Sequence, residues 1–187
     1  MPELTPLLSR PQLTAAQLKE IYAALSARDG FADELIRHLP LLDPPHVCRP
    51  LGLLRMIAES RGLGAGHVTR IIRHADAFSE HWLGRLLACQ LLAITGCPRE
   101  SEDDAFPFLA DCFEDRRVII RAWALTVLSR FTGAHHQKSI ASMLARAQKD
   151  PAKSMQARLR HISPKLHPAN KRQTHERRTR AAIRPHH

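Results

Sequence analysis

Residues 105–131, AFPFLADCFEDRRVIIRAWALTVLSRF, decide the fold. Phe106, Leu109, Ala110 and Phe113 fall on one side of a helix, Asp115 breaks the pattern, and a second helix follows. In that second helix Ile119, Trp123, Val127 and Phe131 stand four apart, with Ile120, Ala124 and Leu128 on the adjoining row. An apolar face this wide does not suit a free surface helix. The helix is therefore expected to be sandwiched between neighbours, with Trp123 in the core.

The same spacing recurs on both sides of this stretch. Asp115 is followed five and six residues later by Ile120 and Arg121. Asp43 stands in the same relation to Cys48 and Arg49, Asp76 to His81 and Trp82, and Asp150 to Met155 and Gln156. The four aspartates lie 33, 39 and 35 residues apart, inside the range of roughly 33–47 typical of helical-hairpin repeats. The polar loop CPRESED (97–103) accounts for the longest gap. Asp43-Pro44 and Asp150-Pro151 read as an N-cap followed by Pro at the first helical position, where the missing N–H costs nothing.

The pattern predicts nine helices and no strand, with the four aspartates at equivalent corners. First-layer helices fall near 31–42, 65–75, 102–114 and 136–149, and second-layer helices near 44–61, 77–95, 116–132 and 151–163. A further helix near 14–28 opens with Thr14 and Gln17 as a capping box and carries Leu18, Ile21 and Leu25 on one face. It is expected to cover the open flank of the first repeat. The organisation is thus an extension over 1–12, a helical domain over 13–163 and a basic tail over 164–187.

With Pro107 inside the first helix, Asp115 at the corner and the Ile120–Arg121 pair opening the second helix, the central unit resembles the HEAT repeat family. The resemblance spans about residues 31–163. It implies an all-α, armadillo-type fold, a short right-handed α-solenoid of about four HEAT-like hairpins with an N-terminal capping helix. It also implies that Arg49 and Arg121 bond the Asp of their own or the next corner, and that the second layer lines the concave side. Such arrays are binding surfaces, and the fold by itself implies no reaction.

Composition agrees with stacked helices: 44% of the 187 residues are hydrophobic but only 5% are aromatic, which makes an aliphatic core. No apolar run approaches the ~18 residues of a membrane span, and Met1–Arg10 lacks the pattern of a signal peptide. A cytoplasmic location is expected. Cys48, Cys89, Cys97 and Cys112 form no C-x-x-C pair and read as reduced, mostly buried residues.

The net charge of +10 is unevenly placed. Residues 164–187 carry seven Lys/Arg against one Glu. The predicted second-layer helices carry eleven Lys/Arg (Arg49, Arg55, Arg61, Arg85, Arg116, Arg117, Arg121, Arg130, Lys153, Arg158, Arg160) against Glu59 and Glu80. On the concave face that the resemblance implies, these residues favour an acidic partner, either a Glu/Asp-rich protein or a phosphodiester backbone. The candidate contacts are Arg55, Trp82, Arg85, Arg116, Arg117, Arg130, Arg158 and Arg160. From the tail come Lys171, Arg172, Arg177, Arg178, Arg180 and Arg184, which offer charge but no base stacking because no aromatic residue is interleaved.

No catalytic, cofactor or metal-ligating set is read from the sequence. Gly62, Gly64 and Gly66 lack the spacing and the Lys-Ser/Thr of a phosphate loop, and Gly62 reads as a left-handed helix cap. His135 and His136 are adjacent and are expected to point in different directions. The leading expectation is a non-enzymatic adaptor that engages an acidic protein. The alternative is a DNA- or RNA-binding protein, including a HEAT-like alkylpurine DNA glycosylase, for which Trp82 and Trp123 are the candidate aromatics. Short HEAT-like repeats also occur in bilin lyases, but no pigment-handling residue stands out in this chain.

Overall fold

The computed structural model describes residues 4–166, and within them every regular element is a helix. In chain order these are α1 (Leu4–Leu8), α2 (Ala15–Leu25), α3 (Phe31–His38), α4 (Cys48–Arg61), α5 (Ala65–Arg73) and α6 (Asp76–Ser79). They are followed by α7 (Trp82–Thr95), α8 (Glu102–Phe113), α9 (Val118–Leu128), α10 (Gln137–Gln148) and α11 (Lys153–Leu166). Short 3-10 turns at Leu39–Leu41, Arg99–Ser101 and Ala134–His136 extend or introduce α3, α8 and α10.

The eight paired helices fall close to their predicted positions. Two unpredicted helices, α1 and α6, bring the number among the described residues to eleven rather than nine. α1 is too short to hold a helix alone, yet Leu4 and Leu8 are buried against the first hairpin. Arg49 fastens it by donating to the Leu8 and Pro11 carbonyls, instead of bonding an aspartate. Part of the expected extension over 1–12 is therefore core. At the other end α11 runs through Leu166, beyond the predicted end at 163.

The expected capping box is present in α2: Gln17 N–H donates to Thr14 Oγ1 at 3.2 Å and Thr14 N–H to Gln17 Oε1 at 2.9 Å. The Asp43-Pro44 corner does not cap a helix, since α4 begins only at Cys48. Pro45 is the reason, because a residue preceding proline is pushed out of the helical region and Pro44 precedes Pro45.

Helices α4, α7, α9 and α11 form one row, each packed on the next, while α3, α5 and α8 form a second row. Contacts along the first row join start to start. Cys48 Sγ meets His81 Nδ1 at 3.2 Å, Arg117 covers Trp82, and Arg121 reaches Asp150. These helices therefore run parallel to one another. The buried residues form two clusters, both of which Leu63 and Phe108 pack against, and Phe108 stands edge-on to Phe78 with ring centres 5.5 Å apart.

In α9, Ile120, Ala124, Val127 and Leu128 are fully buried, and Phe131 just beyond it is buried as well. Ile119 is 39% exposed and Trp123 only half-buried. The apolar face is wider than the core it packs on, so its outer edge meets solvent, and Trp123 is a rim residue rather than the core residue expected.

Gly62 and Gly96 end α4 and α7 in the same conformation, φ 80° with ψ 167° and 162°. Gly62 thus has the positive φ expected of a cap, but its ψ is extended rather than left-handed helical, a region open almost only to glycine. No atom lies within 4 Å of a Cβ built on either glycine, or on Gly52 inside α4. Gly62→Ala and Gly96→Ala are expected to cost about 1–3 kcal/mol through backbone strain alone. Gly52→Ala should gain about 0.5–1 kcal/mol. Urea denaturation of the three variants checks the contrast in sign.

Candidate interaction surface

The corners that open α9 and α11 share one arrangement. Asp115 Oδ1 accepts from Arg117 N–H at 2.8 Å, and Asp150 Oδ1 accepts from Ala152 N–H at 2.9 Å. The side chain six residues on closes each turn: Arg121 donates to the Asp115 carbonyl at 3.0 Å and Gln156 to the Asp150 carbonyl at 2.7 Å. Arg121 also reaches Asp150 Oδ2 at 2.7 Å, so one guanidinium holds its own corner and the next. Arg121 thus behaves as the family resemblance implied. Asp43 and Asp76 differ: Asp43 is exposed with no side-chain bond among the described residues, and Asp76 begins α6. Four equivalent corners reduce to two.

Most of the nominated arginines join neighbouring helices. Arg55 donates to Gln90 of α7 at 2.9 Å and faces Glu59 at 3.7 Å. Arg130 donates to the Ala93 carbonyl at 2.6 Å. Arg158 lies 3.3 Å above the centre of the Trp123 ring, where burial pushes its guanidinium below its ordinary pKa. Arg117 lies 5.1 Å from the centre of the Trp82 ring and 3.9 Å from Asp115. Arg85 is held by Asp111 and, at 2.8 Å, by the buried Asp115 carboxylate. With its side chain only 15% exposed, Arg85 is a structural tie and not the partner contact expected. Sequence alone could not separate these uses, because an inter-helix tie and a free cation carry the same letter.

Four cations of this row, Arg61, Arg116, Lys153 and Arg160, are exposed and have no side-chain partner among the described residues. Arg116 lines an open cleft of about 340 Å³ between the two corners, together with Glu114, Arg121, Arg146 and Asp150. Arg146 grips both Glu114 oxygens at 2.7 Å, and that hydrogen bonding holds the Glu114 carboxyl below its ordinary pKa. Arg121 does the same to Asp150.

The same row of helices also exposes apolar side chains. Trp82 and Ile94 on α7 and Ile119 on α9 are 41%, 41% and 39% exposed. Trp82, Leu86, Gln90 and Ile94 are four apart along α7, the helix against which α9 packs. Trp82 was nominated; Ile94 and Ile119 were not, because in sequence they continue rows that look like core.

The cysteines offer no reactive thiol to this surface. Cys48, Cys89 and Cys112 are buried and unbridged. Burial pushes the Cys48 thiol up to about 11 and the half-buried Cys97 thiol up to about 12. The hydrogen bond with Cys89 holds the Cys112 thiol below its ordinary value, but Cys112 is wholly buried.

His135 and His136 depart from expectation. Their shared 3-10 turn aims both Nε2 atoms at Asp103 Oδ1, at 2.6 and 2.9 Å. Of the tail candidates, Lys171, Arg172, Arg177, Arg178, Arg180 and Arg184 lie outside the described residues. No helix among the described residues is long and apolar enough to cross a membrane. In comparisons with family models, curated proteins and solved structures, the chain matches none.

Proposed function

We propose that this chain is a non-enzymatic binding scaffold, an array of HEAT-like hairpins that engages an acidic partner protein along the row α4–α7–α9–α11. The observation that carries the reading is that the adjacent helices α7 and α9 expose large apolar side chains, Trp82 and Ile94 on the one and Ile119 on the other, while Arg116 and Arg160 on neighbouring segments are exposed cations with no side-chain partner among the described residues. Apolar anchors within a charged rim are the usual anatomy of a protein interface. A phosphodiester backbone would use the cations and leave the isoleucines unused.

Nucleic-acid binding is the second reading, favoured by the charge of residues 164–187 and by the exposed Trp82 ring. Affinity capture with the full chain, with and without nuclease, separates the two. The expected result is a partner set that survives nuclease. Loss of one anchor of about 2 kcal/mol weakens binding roughly 30-fold, so Trp82→Ala/Ile119→Ser should lose the set while keeping the wild-type helical circular-dichroism spectrum. A set removed by nuclease and indifferent to the double substitution would overturn the adaptor reading.

A further inference from the structure

We infer that Asp103, His135 and His136 form a binding site for a divalent transition metal of the zinc class, independent of the partner surface. One ligand atom from each residue lies within 4.8 Å of the others. The two Nε2···Oδ1 separations, 2.6 and 2.9 Å, lie just inside the roughly 3.0–3.4 Å separating neighbouring ligands at zinc bond lengths of 2.0–2.2 Å. A small outward movement of the exposed Asp103 and His135 opens that space, since their side chains are 70% and 61% exposed.

The surroundings hold the three ligands together without a metal. Asp103 is in the first turn of α8, beside Glu102, whose carboxylate is buried. Glu102 accepts from Thr132 N–H at 3.0 Å and Gly133 N–H at 2.8 Å, which ties the connector that precedes the histidines to α8. His136 is mostly buried and stacks on Phe106, one turn along α8 from Asp103, at a ring separation of 4.0 Å and 12° between planes. At Gly133 a Cβ would come within 3.1 Å of Glu102 Oε2 and 3.3 Å of His135 Cε1, so a side chain there would press on both neighbours.

Charge and chemistry select the cation. Asp76, Asp103 and Asp104 line the adjoining cleft against Arg73 alone, which leaves a local negative excess. Two imidazoles and one carboxylate suit zinc, cobalt, nickel and copper rather than magnesium or calcium. Each histidine binds through the Nε2 lone pair, and its ring proton moves to Nδ1. Three protein ligands leave further coordination positions to water or to a donor from a partner.

The test uses the full chain, in which His167, His175, His186 and His187 provide other donors common to every variant. Zn²⁺ is titrated by calorimetry into the metal-free wild type, Asp103→Asn and His135→Ala, and Co²⁺ is followed by its visible d–d absorption. Both substitutions fall at exposed positions, and their melting temperatures without metal verify folding. The expected result is one more bound equivalent in the wild type than in either variant. Zn²⁺ at a hundred times its dissociation constant should raise the wild-type melting temperature by roughly 5–10 °C, whereas Mg²⁺ and Ca²⁺ leave it unchanged. Equal stoichiometry in all three proteins, or a melting temperature that Zn²⁺ raises equally in the wild type and both variants, would reduce the cluster to a metal-free carboxylate bridge and overturn the inference.

Discussion

Asp115→Ala is expected to lower the unfolding free energy by about 3 kcal/mol, near the lower end of the cost of breaking a buried ion pair. The carboxylate is 7% exposed and does two things at once. Oδ1 closes the turn onto Arg117 N–H, and Oδ2 receives Arg85 from α7. Its loss leaves a poorly solvated guanidinium with Asp111 as its remaining carboxylate, and that remaining contact keeps the cost from being larger. Asp43→Ala, at the position matched in the repeat spacing, should stay within about 0.5 kcal/mol because its exposed side chain has no bond among the described residues. Urea denaturation measures both. A loss below about 1 kcal/mol for Asp115→Ala would mean that the corner is held by backbone bonds alone.

The second large effect is expected at Glu102. Its carboxylate is 4% exposed and accepts from the backbone of Thr132 and Gly133 and from the Thr132 hydroxyl. Hydrogen bonds to an ionised acceptor are worth about 1.5–3 kcal/mol. Because the freed N–H groups lie near the surface, where water replaces part of that bonding, Glu102→Ala should cost about 2–3 kcal/mol. The same substitution should release the connector, so that His135 and His136 no longer converge on Asp103. NMR contacts between the His136 and Phe106 rings, which stack at 4.0 Å, report this separately from stability: in the variant they should weaken or vanish. Unchanged ring contacts in a destabilised variant would show that stacking on Phe106 positions the ring without Glu102.

The sequence by itself determined the helical class and the order of the paired helices. Apolar periodicity records which face of a helix avoids water, and that local signal survives in a single chain. The Thr14–Gln17 cap was legible for the same reason, since donor and acceptor lie within one turn. The bond of Arg121 to its own corner, which the family resemblance implied, spans only six residues and is likewise local.

Only the tertiary structure decided what depends on side chains distant in sequence. Leu4 and Leu8 become core because α4 and its neighbours offer them a place, although five residues cannot hold a helix alone. Arg85 and Arg116 are equivalent as letters, but one meets Asp111 and Asp115 while the other faces open solvent. Trp123 and Ile119 belong to a fully apolar row, yet the neighbouring helices cover only part of it. Asp103 and the two histidines are more than thirty residues apart, joined through the Glu102 clamp and the Phe106 stack. Periodicity reports which side of a helix is buried. Which charged and aromatic groups meet there depends on the packing of helices against one another, and that packing is not encoded in any single stretch of the chain.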